Sequence, residues 1–168
     1  MLLFALTFLV IMGFYCLLMI AALAKIFVKA DQAWWAALIP FYNLYIYLKV
    51  IGKPSWWLAP LSAIGFTIYF NLYSTSDELI VFGLGLYFVW LTFAIWSLNM
   101  LAKSFGKQEN YTFGLLFMSF IFFPLLAFGD AEYEGPYGDQ DAFYAYKRKT
   151  GEQLFDFEKG IEAGSSNV

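Results

Sequence analysis

Within its first 129 residues the chain holds four stretches without a single charged side chain, 2–24, 54–76, 79–102 and 111–129. Each is near or beyond the ~18–20 residues with which a helix crosses a bilayer. Stretches of this length, repeated along a short chain, leave too little polar surface to face water. Composition agrees: of 168 residues 61% are hydrophobic and 23% aromatic, and only 14% are charged, against roughly a quarter in soluble domains. The expected fold class is all-α, a polytopic helical membrane protein with four transmembrane helices and one interfacial or re-entrant aromatic helix.

The first span is expected over residues 2–24, about 34 Å of helix, slightly more than a ~30 Å hydrocarbon core. Ala22-Leu23-Ala24 before Lys25 resembles a signal-peptide cleavage site, but no basic segment precedes this long apolar run and the lysines follow it. The next charge-free run, 32–48, is short and holds Pro40 and Asn43. Proline frees a backbone carbonyl inside a helix, and an amide in lipid needs a partner. Residues 33–47 therefore read as an interfacial or re-entrant element. The second span is expected at 56–73, with Pro60 in its first turns where it is tolerated, and the third at 79–102. The fourth is expected at 111–129, kinked by Pro124.

Lysines near the ends of spans set orientation, because basic loops stay cytoplasmic. Lys25, Lys29, Lys49, Lys53, Lys103 and Lys107 all fall on one side of these spans, and the opposite loop carries only Asp77 and Glu78. This places the N-terminus outside. A full fourth crossing puts the tail, 130–168, outside as well; a re-entrant hairpin at Pro124 returns it to the cytoplasm. The sequence favours the full crossing. The tail carries nine acids against four bases, a net of −5, so the membrane part carries +2 of the chain's −3. Thr150-x-x-Gln153 resembles a capping box, and an amphipathic helix is expected over 151–161.

Two heptapeptides look alike, Leu23-Ala-Lys-Ile-Phe-Val-Lys29 and Leu101-Ala-Lys-Ser-Phe-Gly-Lys107. Both end a span on the same side, and each precedes an aromatic segment with a proline, which reads either as a parallel internal repeat or as ordinary span-end chemistry. The densest signal is the run from Trp34 and Trp35 through Pro40, Tyr42 and Asn43, followed by Ile51-Gly-Lys-Pro-Ser-Trp-Trp57. Interfacial anchoring accounts for paired tryptophans by itself. The functional alternative is a surface for a partner or a lipid headgroup, made of Trp34, Trp35, Pro40, Tyr42, Asn43, Lys49, Lys53, Trp56, Trp57, Lys103 and Lys107.

The chain has no histidine and one cysteine, Cys16, which removes histidine acid–base chemistry and His/Cys metal sites. No acid or base falls in the middle of a span, where ion-coupled transporters use them. No nucleotide, hydrolase or metalloprotease motif is present. No catalytic residue, cofactor or metal is expected. Membrane lipids and another membrane protein are the expected partners, and nucleic acid is not.

The series K-x-F-x-K-A, W-x-A-L-I-P-F-Y-N, I-G-K-P-x-W-W, L-A-K-S-F-G-K and I-F-F-P-L-L-A-F-G-D-A-x-Y, spread over residues 25–133, resembles a bacterial membrane-domain family of unknown function. That family is similar to membrane regions of some proteins labelled signal peptidase I. A peptidase of that type needs a serine nucleophile and a lysine base on a folded domain, and here only 35 residues follow Tyr133, whose serines are Ser165 and Ser166. Surface motifs without buried chemistry lead to the expectation of a non-catalytic accessory or scaffold protein of the bacterial inner membrane, and the resemblance adds a link to protein export. The alternative is a lipid- or small-molecule-handling membrane enzyme or transporter with Lys49, Lys53, Lys103 and Lys107 as phosphate contacts.

Overall fold

The computed structural model describes residues 1–73 and 77–150, and every regular element among them is helical. Two helices, over Leu6–Lys29 and Glu78–Ser104, are long and apolar enough to cross a membrane. The first belongs to α1 (Leu2–Lys29), which continues past residue 24 because lysine stems extend the apolar surface while their ammonium groups complement the helix C-terminus. The second belongs to α4 (Asp77–Ser104), antiparallel to α3 (Leu58–Tyr73), whose preceding turn Ser55–Trp57 sets Trp57 against Phe93 and Trp96 of α4. α1 and α4 thus finish at the same end of the molecule, hereafter the lysine end.

Each long helix closes with the same device. Gln32 N–H donates to Phe27 at 2.8 Å past Asp31 (φ 55°), and Lys107 N–H donates to Ala102 at 2.9 Å past Gly106 (φ 64°). These are Schellman ends, with the left-handed residue between helix and loop. They pair Gln32 with Lys107 and Lys29 with Ser104. The two similar heptapeptides, which pair Lys29 with Lys107, are therefore out of structural register.

After each long helix the chain dips back between the helices and returns. The first dip descends through a short 3-10 turn, Trp34–Leu38, and climbs back along α2 (Tyr42–Ile51). Trp35 on the descending leg stacks on Tyr42 at the start of the ascending one, with ring centres 5.4 Å apart. The second dip is α5 (Glu109–Phe117) and α6 (Ser119–Phe128), broken at Met118. It corrects the expected continuous span over 111–129. In one straight helix Tyr111 and Phe122 would lie roughly 16 Å apart along the axis. Instead their ring centres are 5.0 Å apart and the Tyr111 hydroxyl donates to the Phe122 carbonyl at 3.1 Å. Gly114 makes the fold-back possible, since a Cβ there would overlap the Phe122 ring. Pro124 lies within α6 rather than at the break.

The tail therefore returns to the lysine end, opposite to the side favoured by a full crossing. Residues 131–138 run as an extended strap beneath the helices: Glu134 N–H donates to Ser104 at 2.8 Å, and Gly138 N–H donates to Ile51 at 2.8 Å. α7 (Gln140–Thr150) follows, with the Asp139 carboxylate accepting from Ala142 N–H at 3.2 Å as an N-cap. The helix expected over 151–161 lies outside the described residues. The buried core, with Ile26, Phe27, Leu48, Ile51, Leu101 and Leu126 at its centre, sits toward the lysine end. By contrast Leu3 is 79% and Phe14 70% exposed on the N-terminal half of α1.

Candidate functional site

The lysine end is built by cations that bind the chain itself. Lys29 Nζ donates to the carbonyls of Leu126 at 3.0 Å, Gly129 at 2.8 Å and Ala131 at 2.9 Å. These include carbonyls left open where α6 ends, so one ammonium supplies all three of its donors to a negative helix terminus. Lys53 donates to Gly138 at 3.3 Å and lies over the rings of Trp57 and Trp96. Lys103 pairs with Glu109 at 2.8 Å, joining α4 to α5, and faces Tyr137. Lys147 of α7 pairs with Glu134 of the strap at 3.2 Å.

The strap fits two glycines. Gly52 (φ 73°) and Gly106 (φ 64°) hold left-handed conformations at the ends of α2 and α4. A Cβ on Gly52 would fall 2.6 Å from the Pro136 carbonyl oxygen, and one on Gly106 would overlap the Glu134 carboxylate. The Tyr133 hydroxyl donates to the Val50 carbonyl at 2.7 Å. Burial, with Tyr146 and Asp31 nearby, pushes the Tyr133 phenol above its ordinary pKa, so it stays a donor.

The eleven candidate surface residues divide between two places. Lys49 and Lys53 line a groove of about 570 Å³ at the lysine end, shared with Asp31, Asp139, Tyr146 and Lys149. Lys103 and Lys107 stand at the end of α4, and Lys103 already holds Glu109. Pro40, Tyr42 and Asn43 lie at the tip of the first dip, so α2 separates Asn43 from Lys49 by about 9 Å. Trp34, Trp35 and Trp56 are exposed, whereas Trp57 is 3% exposed and belongs to the core.

Asn43 instead lines a cleft of about 520 Å³ where the two dips meet between α1 and α4. Met19, Ile20 and Leu23 of α1 face Trp90, Leu91 and Ala94 of α4 across it, and Leu44 and Ser119 form its floor. Along α1, Met19 lies roughly 15 Å from Lys29. Tyr47 and Ser97 add a hydroxyl pair at 3.5 Å, and Ser97 donates onward to Ala94 at 2.8 Å. Sequence reasoning passed over Tyr47 and Ser97; their only signal was a hydroxyl in an otherwise apolar helix. Among the described residues no group of three or more Asp, Glu, Cys or His is placed to hold a metal ion.

Residues 35–136, more than half of the chain, match a family of unknown function, DUF5684. The chain belongs to this family. Its matched segment begins in the first dip and ends in the strap, so it contains the second dip, Gly52 and Gly106, and Pro136 and Glu134, which lie against those glycines. No curated protein and no solved structure matches the chain.

Proposed function

We propose that the chain is a non-catalytic accessory or scaffold protein of the bacterial inner membrane. It crosses three times, through α1, α3 and α4, and both dips are half-depth re-entrant hairpins entering from the cytoplasmic face. Of the ten basic residues, nine lie in segments at the lysine end and the tenth, Lys159, lies outside the described residues. Gathering of cations on one side favours a cytoplasmic lysine end and tail, with the N-terminus outside.

The observation that carries the accessory reading is the bare half of α1. Leu3, Phe4, Leu9, Val10 and Phe14 there are 65–79% exposed, and helix faces of this kind are where membrane partners pack. The link to protein export rests on the resemblance to membrane regions of signal-peptidase-labelled proteins alone. The lipid-handling alternative through four lysines is weakened because Lys53 and Lys103 are held within the chain.

The test is purification of the full chain in gentle detergent, with mass spectrometry of co-purifying proteins. A stoichiometric membrane protein is expected, weakened by Trp34→Ala, Trp35→Ala and Trp56→Ala, which remove exposed rings. Trp57→Ala reports folding instead. A lone, folded chain under conditions that preserve other membrane complexes counts against the proposal.

A further inference from the structure

The cleft between the two hairpin tips continues, past Asn43 and Leu44, into a second cleft of about 980 Å³ against Leu61, Gly65 and Tyr69 of α3. Neither is lined by a charged residue. Non-helical backbone at Pro40 and Phe41 borders the second cleft, and Phe41 is 78% exposed. Such backbone is tolerated at membrane depth only where it is covered or lines a cavity with hydrogen-bonding contents.

The polar atoms in these clefts are few and complementary. Ser97 donates to Ala94 and accepts from Tyr47, so both hydroxyl oxygens keep acceptor capacity. The Asn43 side chain adds two donors and an acceptor, and none of them has a partner among the described residues. Together they suit a group that both donates and accepts, such as a hydroxyl beside an ester carbonyl. A phosphate or carboxylate would find no cation here, and burying it unpaired is costly. Ser62 and Ser119 also line the clefts, but their hydroxyls donate to the Ala59 and Leu115 carbonyls of the preceding turns, and the rest of the lining is largely aliphatic and aromatic, matched to hydrocarbon chains.

We propose that this double cleft binds an uncharged long-chain lipid of the diacylglycerol class, its glycerol hydroxyl and ester at Asn43, Tyr47 and Ser97 and its chains along α1, α3 and α4. The site goes beyond the accessory reading and survives the failure of that reading, since it requires no protein partner.

The experiment uses the full chain in phosphatidylcholine vesicles with a diacylglycerol bearing a photoactivatable diazirine in its acyl chain. Crosslinks are expected on the peptides that hold the chain-lining residues, Met19–Leu23 of α1, Leu61–Tyr69 of α3 and Trp90–Ala94 of α4. Excess unlabelled diacylglycerol is expected to remove them, while equal phosphatidylglycerol leaves them. Asn43→Leu and Ser97→Ala, each removing one hydrogen-bonding group, are expected to lower labelling of the folded protein about fivefold each. Labelling spread along the exposed half of α1, equal competition by phosphatidylglycerol, or full labelling in a folded Asn43→Leu or Ser97→Ala protein overturns the proposal. The competition arm needs no variant and stands if both substitutions disturb folding.

Discussion

Single side chains at the lysine end do work that their sequence position conceals. Lys29 reads as an end-of-span lysine, yet its ammonium closes α6, a hundred residues away in the chain from the Gly129 carbonyl it meets. Lys29→Met keeps the stem and leaves three acceptors open. It is expected to destabilise the protein by about 3 kcal/mol, at the scale of hydrogen bonds to a charged group, read as a lowered melting temperature in detergent. Tyr133→Phe removes one donor from the Val50 carbonyl, and a smaller loss of about 1–2 kcal/mol is expected. Gly106→Ala combines a left-handed φ with overlap of the Glu134 carboxylate. It is expected to lower the melting temperature more than the same substitution at Gly13, which has open space around it. Equal effects at the two glycines would show that the strap does not press on Gly106.

Elements follow from sequence to different degrees. α1 and α4 were legible because uninterrupted apolar length is decisive, and a break in the helix within 33–47 was legible because Pro40 and Asn43 punctuate it. The second dip was not, because no comparable punctuation marks Met118. Pro124 draws attention, but its ring sits inside α6 and the fold-back depends on Gly114, Tyr111 and Phe122 meeting across the hairpin. Contacts between residues eleven apart leave no periodic signature. The repeated heptapeptides misled in a similar way: the recurring unit is a long helix, a Schellman end and a dip, whereas the matching letters are offset from it. The candidate surface was half legible. Lysines and tryptophans were recognised as surface-seeking, but the ring of Trp57 and the charges of Lys53 and Lys103 are occupied internally. The hairpin reading of α5 and α6 predicts that a cysteine placed at Ser119, in a variant lacking Cys16, is shielded from membrane-impermeant reagents on both sides. One at Gln108 is expected to react from the cytoplasmic side. Labelling at Ser119 from outside would restore a full crossing.

At the scale of the whole molecule, the strap decides on which side the tail ends. Reporter fusions after Thr150 are expected to be active in the cytoplasm and those at the N-terminus outside; a tail reporter active outside contradicts the three-crossing topology. Because both dips start at the lysine end and turn back before the other, the two ends have unequal girth. All seven described α-helices reach the lysine end, but only α1, α3 and α4 reach the other. Seated in a bilayer with the three crossings proposed, such a molecule is a wedge that displaces more lipid from the leaflet at the lysine end than from the opposite one. Crowded together, wedges of this kind bend a membrane convex toward the side of the lysine end, and a single one gathers where the membrane already curves that way.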